Sequence, residues 1–356
     1  MFHQKGILPR RGRHRKITSA AAEPVSGPDL WPASFPARAL FTVLRLLYFS
    51  DLDLARWQAC VTTSPGAPPY VQAWRLAATA GRWAAVVEMG PGGEYRSLLP
   101  LPLKWRPWGR IAYQPLFTQH LGLVLTAESC YTRVADYLAV ARKSCGAFYQ
   151  QWPPGAQVSS LPIGFALAAR PTYHVDLGAV YASIYQQYSA DYRRRLRNNQ
   201  ARAQPLVVAK SDDLGALINL FLTYRGPAHT GLRARHYKVL RRLYAALRAQ
   251  GAAELRQVRH PATGDLLAGA LFVRHAGGLI YLFAAASAAG RAASAPLVLI
   301  DDALRRHAGQ PGQVFDFEGG SLPSIGRFFT NFGAQPVLYP TVTLTQPPWF
   351  LSWMRP

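Results

Sequence analysis

The sequence predicts an α+β protein of two tandem domains, each a mixed, largely antiparallel sheet flanked by helices. Three observations predict it. The chain has 356 residues, 49% of them hydrophobic, which is enough apolar mass for two cores of ordinary domain size. One order of elements (helix–helix, antiparallel strands, helix, strand) occurs once in each half. Between the copies lies Trp152-Pro153-Pro154-Gly155 and then Pro162, a stretch that neither a helix nor a central strand can cross. The expected organisation is an extension at 1–38, domains at 39–165 and 166–345, and a tail at 346–356.

Residues 1–38 are basic, then rich in Ala, Pro and Gly, and show neither period; they read as a disordered extension. Order is expected from the apolar run 39–49. Ser50 and Asp51 are placed to cap a helix through Thr63, with Leu54, Trp57 and Val61 at helical spacing. Residues 70–79 read as a second helix. Strands at 82–89 and 95–105 flank a Gly-Pro-Gly-Gly hairpin turn at 90–93. A strand near 110–116 and a helix near 131–145 finish the first copy. The second begins with a strand at 172–177 and continues with helices near 178–188, 190–203, 212–224 and 232–250. Strands near 253–260, 266–275 and 278–285 follow. A helix at 294–307, a strand at 313–318, a helix at 323–331 and a strand at 335–341 complete it.

The charge is lopsided. Forty basic residues oppose 18 acidic ones for a net +22, and 34 of the basic residues are Arg. Residues 1–20 carry +6 and residues 193–259 carry +12. A belt of this kind suits an anionic partner, such as RNA, a phosphate-rich cofactor or an anionic membrane surface, or it merely solvates helix faces. Cys60, Cys130 and Cys145 form no C-x-x-C pair and no even set, which points to a reducing compartment and to three buried small side chains. The 27-residue uncharged stretch between Arg327 and Arg355 holds Pro336, Pro340, Pro347 and Pro348, so no continuous apolar helix is expected there. The basic start has no apolar run behind it, so no secretory leader is expected. A cytoplasmic protein follows, soluble or peripheral to the inner face of a membrane, with Trp349, Phe350, Leu351 and Trp353 as the membrane-contact candidates.

H-E-x-x-H, G-x-S-x-G, Walker A and G-x-G-x-x-G patterns are absent, which removes the usual support for a zincin, an α/β-hydrolase, an NTPase or a dinucleotide-binding fold. No metal site is expected. His120, His174 and His275 stand alone in apolar surroundings and read as hydrogen-bonded core or groove residues. Two stretches stand out. Residues 113–122 are uncharged and aromatic, and set Tyr113, Gln114, Gln119 and His120 among large apolar groups; these polar groups either find internal partners or line a groove. In residues 315–333 the alternation puts Asp316 and Glu318 on one face of a strand and Phe315 and Phe317 on the other. Two carboxylates on one side of an apolar strand repel each other and resist desolvation, so at least one pKa should rise. Such a group is a candidate base for an ammonium nucleophile; the competing reading is a structural brace to Arg327.

The run FDFEGGSLPSIGRFFTNFGAQPVLYP, starting at Phe315, resembles the closing motif of GNAT-fold N-acyltransferases of the Fem-like acetyltransferase group. YRSLLPLPLKWRPWGRIAYQPLFTQHLGL, from Tyr95, resembles the N-terminal half of bacterial members, and YSADYRRRLRNNQARA, from Tyr188, their basic helix. The resemblance covers roughly residues 40–345 and implies two tandem GNAT domains. It implies N-acyl transfer from acyl-CoA, such as acetyl-CoA, or from aminoacyl-tRNA, as co-substrate and not as tightly bound cofactor. The acceptor would be an amine on a small molecule or cell-envelope precursor. Glu318 or Asp316 would be the base, with Tyr281 facing the oxyanion. Gly290, Arg291 and Ser294 occupy the place of the pyrophosphate loop, in degenerate form. Tyr113, Gln114, Gln119, His120, Ser321 and Arg327 would orient the acceptor. The rival expectation is an inactive protein of the same fold that binds a nucleic acid, tRNA included, or an envelope component through its Arg-rich helices.

Overall fold

The computed structural model describes residues 43–107, 109–224 and 231–345; the expected extension at 1–38 and the aromatic tail lie outside them. Two sheets organise these residues. The smaller places β1 (Val43–Leu47), β2 (Ala84–Met89), β3 (Tyr95–Leu101) and β6 (Val124–Leu125) side by side in that order. The larger has ten strands. From one edge they are β4 (Leu103–Arg106), β5 (Gly109–Ala112), β7 (Ala147–Gln151), β14 (Gln335–Thr345), β8 (Phe165–Asp176), β13 (Val314–Asp316), β12 (Gly278–Ala286), β11 (Leu266–His275), β10 (Ala253–Arg259) and β9 (Val208–Lys210). The strand expected at 95–105 is therefore two strands. Pro102, which has no N–H for the ladder, separates them, and β3 and β4 belong to different sheets.

The helices form where polar caps precede apolar stripes. Asp53, not Ser50 or Asp51, caps α1 (Leu54–Thr63): its carboxylate accepts from the amides of Ala55 at 2.9 Å and Arg56 at 3.1 Å. Trp57, Cys60 and Val61 form the buried face, while Leu54, expected there, is 41% exposed. Helices α2 (Ala73–Thr79), α3 (Val134–Arg142), α4 (Tyr181–Gln186) and α5 (Ala190–Gln200) follow. Then come α6 (Leu214–Tyr224), α7 (Ala234–Ala249), α8 (Ala288–Ala292), α9 (Ala295–His307) and α10 (Pro323–Thr330). Cys60 and Cys145 are buried as expected, but Cys130 is exposed, in the turn before α3. No helix among the described residues is long and apolar enough to cross a membrane.

Two packing features position the candidate site. First, β14 pairs with both β7 and β8, and its Val342 and Leu344 lie in one core with Ala84, Leu99, Val134 and Leu138. The last described strand thus closes the core of the first half. Second, the short turn of helix Pro69–Val71 and α2 pack onto the second half. Tyr70 and Ala78 share a core with Leu243 and Leu247 of α7, Val273 of β11 and Ile280 of β12, and Arg242 Nε donates to the Ala78 carbonyl at 2.6 Å.

Candidate active site

The site forms where β12 and β13 stop pairing. These two strands run parallel from Gly278 opposite Val314 to Ile280 opposite Asp316, and the ladder ends there. Gly278 makes the close start: with φ +132°, a Cβ would stand 2.0 Å from the Val314 carbonyl oxygen. Beyond the ladder β12 bulges, since Phe272 faces Tyr281 while Leu271 faces Phe283, leaving Leu282 unopposed. On the other side the chain leaves the sheet. Glu318 adopts φ +46°, followed by Gly319 at +109° and Gly320 at +105°. A left-handed backbone costs a non-glycine residue about 1–2 kcal/mol, and the surroundings hold it there. Phe317 stacks on Phe329 with centroids 4.3 Å apart, its amide donates to the Tyr173 carbonyl at 3.0 Å, and the Glu318 amide donates to Asp316 Oδ1 at 2.9 Å.

The expected pair is thus on one side, with Phe315 and Phe317 in the core behind it, and the two carboxylates differ in state. Burial alone would raise Asp316. His174, whose Nε2 is 3.4 Å from Oδ2, the Thr172 hydroxyl at 2.6 Å and the Glu318 amide outweigh it and hold Asp316 below its ordinary value. Burial first, and then the negative charge of Asp316, push Glu318 up to about 8. The Tyr70 hydroxyl donates to Glu318 Oε1. Over the Tyr70 ring, 4.3 Å from its centroid, lies the guanidinium of Arg75, 1% exposed and with no hydrogen-bond partner for Nε or Nη2. Glu318 as a residue is partly buried, whereas Tyr70 and Arg75 are fully buried. His120 and His275, both held down to about 4 by burial, complete the surroundings. The His120 ring stands edge-on to Tyr70 and to Tyr339.

Comparison with known proteins matches this frame. Residues 186–323 match the model of the acetyltransferase (GNAT) domain family. The crystal structure of FemX superposes with a TM-score of 0.57 over 81% of this chain and 96% of its own, at 15% identity. The chain has the GNAT fold. A tandem GNAT protein from the clavulanic acid biosynthesis pathway superposes with a TM-score of 0.50 at 14% identity, covering 86% of this chain and 99% of that one. A conserved protein of unknown function from Bacteroides thetaiotaomicron gives 0.51 at 10% identity, over 84% and 100%. No curated protein sequence matches.

Within the GNAT fold the remaining expected residues are placed differently from one another. His120 is brought to the carboxylates, and Gln119 is buried next to it, beside Tyr339. Tyr281 follows the last residue of the ladder on β12 and packs against Phe272, Phe315 and Phe317. Gln114 serves as an internal clamp: its Nε2 donates to the carbonyls of Thr118 at 2.7 Å and Gln119 at 3.1 Å, and its Oε1 accepts from the Gln151 amide at 3.0 Å. Tyr113 lies under the Lys104 ammonium, 3.6 Å from its ring centroid. Ser321 and Arg327 are exposed at and after the glycine turn. The Arg327 brace does not form; the carboxylates are held by Tyr70, Thr172 and His174.

Residues 288–294 coil into α8 instead of an open loop. The amides of Gly290, Arg291, Ala293 and Ser294 bond to Ser287 Oγ and to the carbonyls of Ser287, Ala289 and Arg291. A Cβ at Gly290 would stand 2.0 Å from the Leu267 carbonyl oxygen, and Arg291 donates to the Ala286 carbonyl at 2.7 Å. A pyrophosphate cradle needs free N–H groups at a helix N-terminus, and these four are already used.

Sequence reasoning missed Tyr70 and Arg75. Both lie in the first half, nearly 250 positions before Glu318, and no pattern at 69–79 distinguishes them from ordinary helix residues. The three histidines stand far apart in sequence, and only the fold gathers them.

Proposed function

We propose that the chain is an N-acyltransferase in which Glu318 removes a proton from an ammonium acceptor. The observation that carries this reading is a carboxyl hydrogen-bonded by Tyr70 where β12 and β13 part, which burial and the charge of Asp316 push up to about 8. A base near neutral pH matches both the proton it must take and the medium it works in. The Glu318 carboxylate takes one proton from R–NH3+ and becomes the acid. The freed amine attacks the acyl carbonyl, the C–N bond forms, and the C–O or C–S bond to the leaving group breaks. The second nitrogen proton leaves with the departing oxygen or sulfur. On this reading the edge of β12 beyond Ile280 would face the developing oxyanion, while Tyr281, expected for that role, turns its ring to Phe315 and Phe317 on the other face. Gln119, His120, Ser321 and Arg327 are the candidate acceptor contacts.

GNAT folds take acyl-CoA as co-substrate, but the internally bonded amides at 290–294 do not fit a CoA pyrophosphate. This favours aminoacyl-tRNA as donor, with Gly290, Arg291 and Ser294 retained as donor-side candidates. Arg194, Arg195 and Arg197 on α5 are exposed, the first two beside Asp191, and would meet the phosphates of such a donor. The acceptor would be an amine of a small molecule or envelope precursor.

The test is transfer of a labelled acyl group from aminoacyl-tRNA and from acetyl-CoA to a panel of amines, by wild type and by Glu318→Gln. Transfer by wild type that is lost in the variant supports the reading. Absence of transfer from either donor overturns it, and salt-sensitive tRNA or anionic-vesicle binding that ignores Glu318→Gln would establish the non-enzymatic alternative.

A further inference from the structure

The first half of the chain supplies a buried cation and a hydroxyl to the carboxyl of the second. Arg75 is 1% exposed, Nε and Nη2 have no partner, and no carboxylate among the described residues forms an ion pair with it. A guanidinium left unpaired in a core is costly, because the water that solvated it is not replaced. A side chain kept for stability alone would be better replaced by an apolar one of similar volume. The carboxyl that acts on its charge is Glu318, joined to it through Tyr70: the guanidinium covers the ring, and the ring's hydroxyl donates to Oε1.

We propose that Tyr70 and Arg75 are positioning residues for Glu318: Tyr70 holds the carboxyl, and Arg75 is the counter-charge the carboxylate meets once it ionises. The inference rests on the reading of Glu318 as the working carboxyl, but it concerns the resting protein and is tested there. The groups that act on Glu318, and on Asp316 and Arg75 beside it, come from several elements. Tyr70 and Arg75 come from the segment 69–79, Asp316 from β13, His174 from β8, His120 from the loop before β6, and His275 from the end of β11. Asp316 disfavours the carboxylate, and both histidines held near 4 are neutral at pH 8. Arg75 is the cation in this group that no carboxylate already holds. Without it, Glu318 would remain protonated to higher pH, and the base would be too rarely available.

The pair also gives the packing of the two halves a chemical consequence. Tyr70 reaches Glu318 because the segment 69–79 lies on α7 and on Ile280, the last β12 residue of the parallel ladder. Any slip of that contact withdraws the hydroxyl and the cation together.

The experiment follows the carboxyl directly in the whole protein, without substrate. Difference infrared spectroscopy between about pH 6 and pH 10 reads the protonated carboxyl band of a buried acid, and Glu318→Gln identifies which band is Glu318. The expected result is that Arg75→Met moves the Glu318 midpoint upward by about one pH unit or more, Arg75→Lys restores most of it, and Tyr70→Phe broadens and shifts the band. Thermal melts guard against misfolding: Arg75→Met should melt at or above the wild-type temperature, because an unpaired buried charge is removed. A midpoint unchanged in Arg75→Met, or a lower melting temperature with no recovery of the midpoint in Arg75→Lys, would overturn the proposal and leave Arg75 a structural residue. Loss of acyl transfer in Glu318→Gln does not bear on this outcome, so failure of the acyltransferase reading and failure of the positioning role are told apart.

Discussion

The hydroxyl of Tyr70 donates a hydrogen bond to Oε1 of Glu318 across 248 positions of sequence. Everything polar at the site is arranged around that contact: Asp316 below it, Arg75 over the ring, and His120 against the ring edge.

Replacing Glu318 by Gln keeps the shape and removes the proposed base. Acyl transfer should fall by about 10²–10⁴-fold with little change in donor affinity, as measured by initial rates at saturating donor. Rates within threefold of wild type would remove Glu318 from the chemistry.

The rate should rise with pH through about 8, because the carboxyl held at about 8 is protonated below that value and becomes a base only above it. Stability should move the other way. The folded state retains a proton that the unfolded chain releases near the ordinary value of 4.5, so this group's contribution declines as pH rises from there to about 8. Melting curves across that range should show the decline, and Glu318→Gln should flatten it.

Asp316→Asn leaves an oxygen to accept from Thr172 and the Glu318 amide, but removes the charge that helps hold the Glu318 proton. The midpoint of the pH–rate profile should drop by about one unit. A midpoint that does not move would show that burial alone sets the Glu318 pKa.

Gly320→Ala tests the turn that aims Glu318. Gly320 has φ +105°, and a Cβ there would stand 2.3 Å from Tyr173 Cε2. The variant should lose about 1–3 kcal/mol in denaturant unfolding and lose activity, whereas Gly319→Ala, with nothing within 4 Å of its Cβ, should suffer only the backbone cost. Equal losses in the two would place the penalty in the dihedral and not in Tyr173.

Much of this arrangement was legible along the chain, and for a consistent reason. The Asp316–Glu318 pair, the core aromatics behind it and the glycine break are neighbours in sequence, so period and turn chemistry reveal them. The same holds for the hairpin at 90–93 and for most helices of the second half. Features that depend on distant partners were not legible. The β1, β7 and β9 strands are short, with little alternation of their own, and exist because a neighbour supplies the ladder. Gln114 looked like a substrate ligand because only the fold shows its amide used on Thr118, Gln119 and Gln151. The segment 288–294 looked like an open loop because a buried Gly290 under the Leu267 carbonyl leaves no mark in composition.

By itself the sequence determined an α+β chain built twice, its strongest cationic belt, and a carboxylate strand with one acid expected to hold its proton. Tertiary structure decided which acid that is, through what surrounds each: two hydrogen-bond donors and His174 around Asp316, a hydroxyl and a buried guanidinium behind Glu318. It also decided that the two halves share one site. Burial makes charges felt across the distances between packed elements, and only the packed chain brings Tyr70 and Arg75 within that range of Glu318.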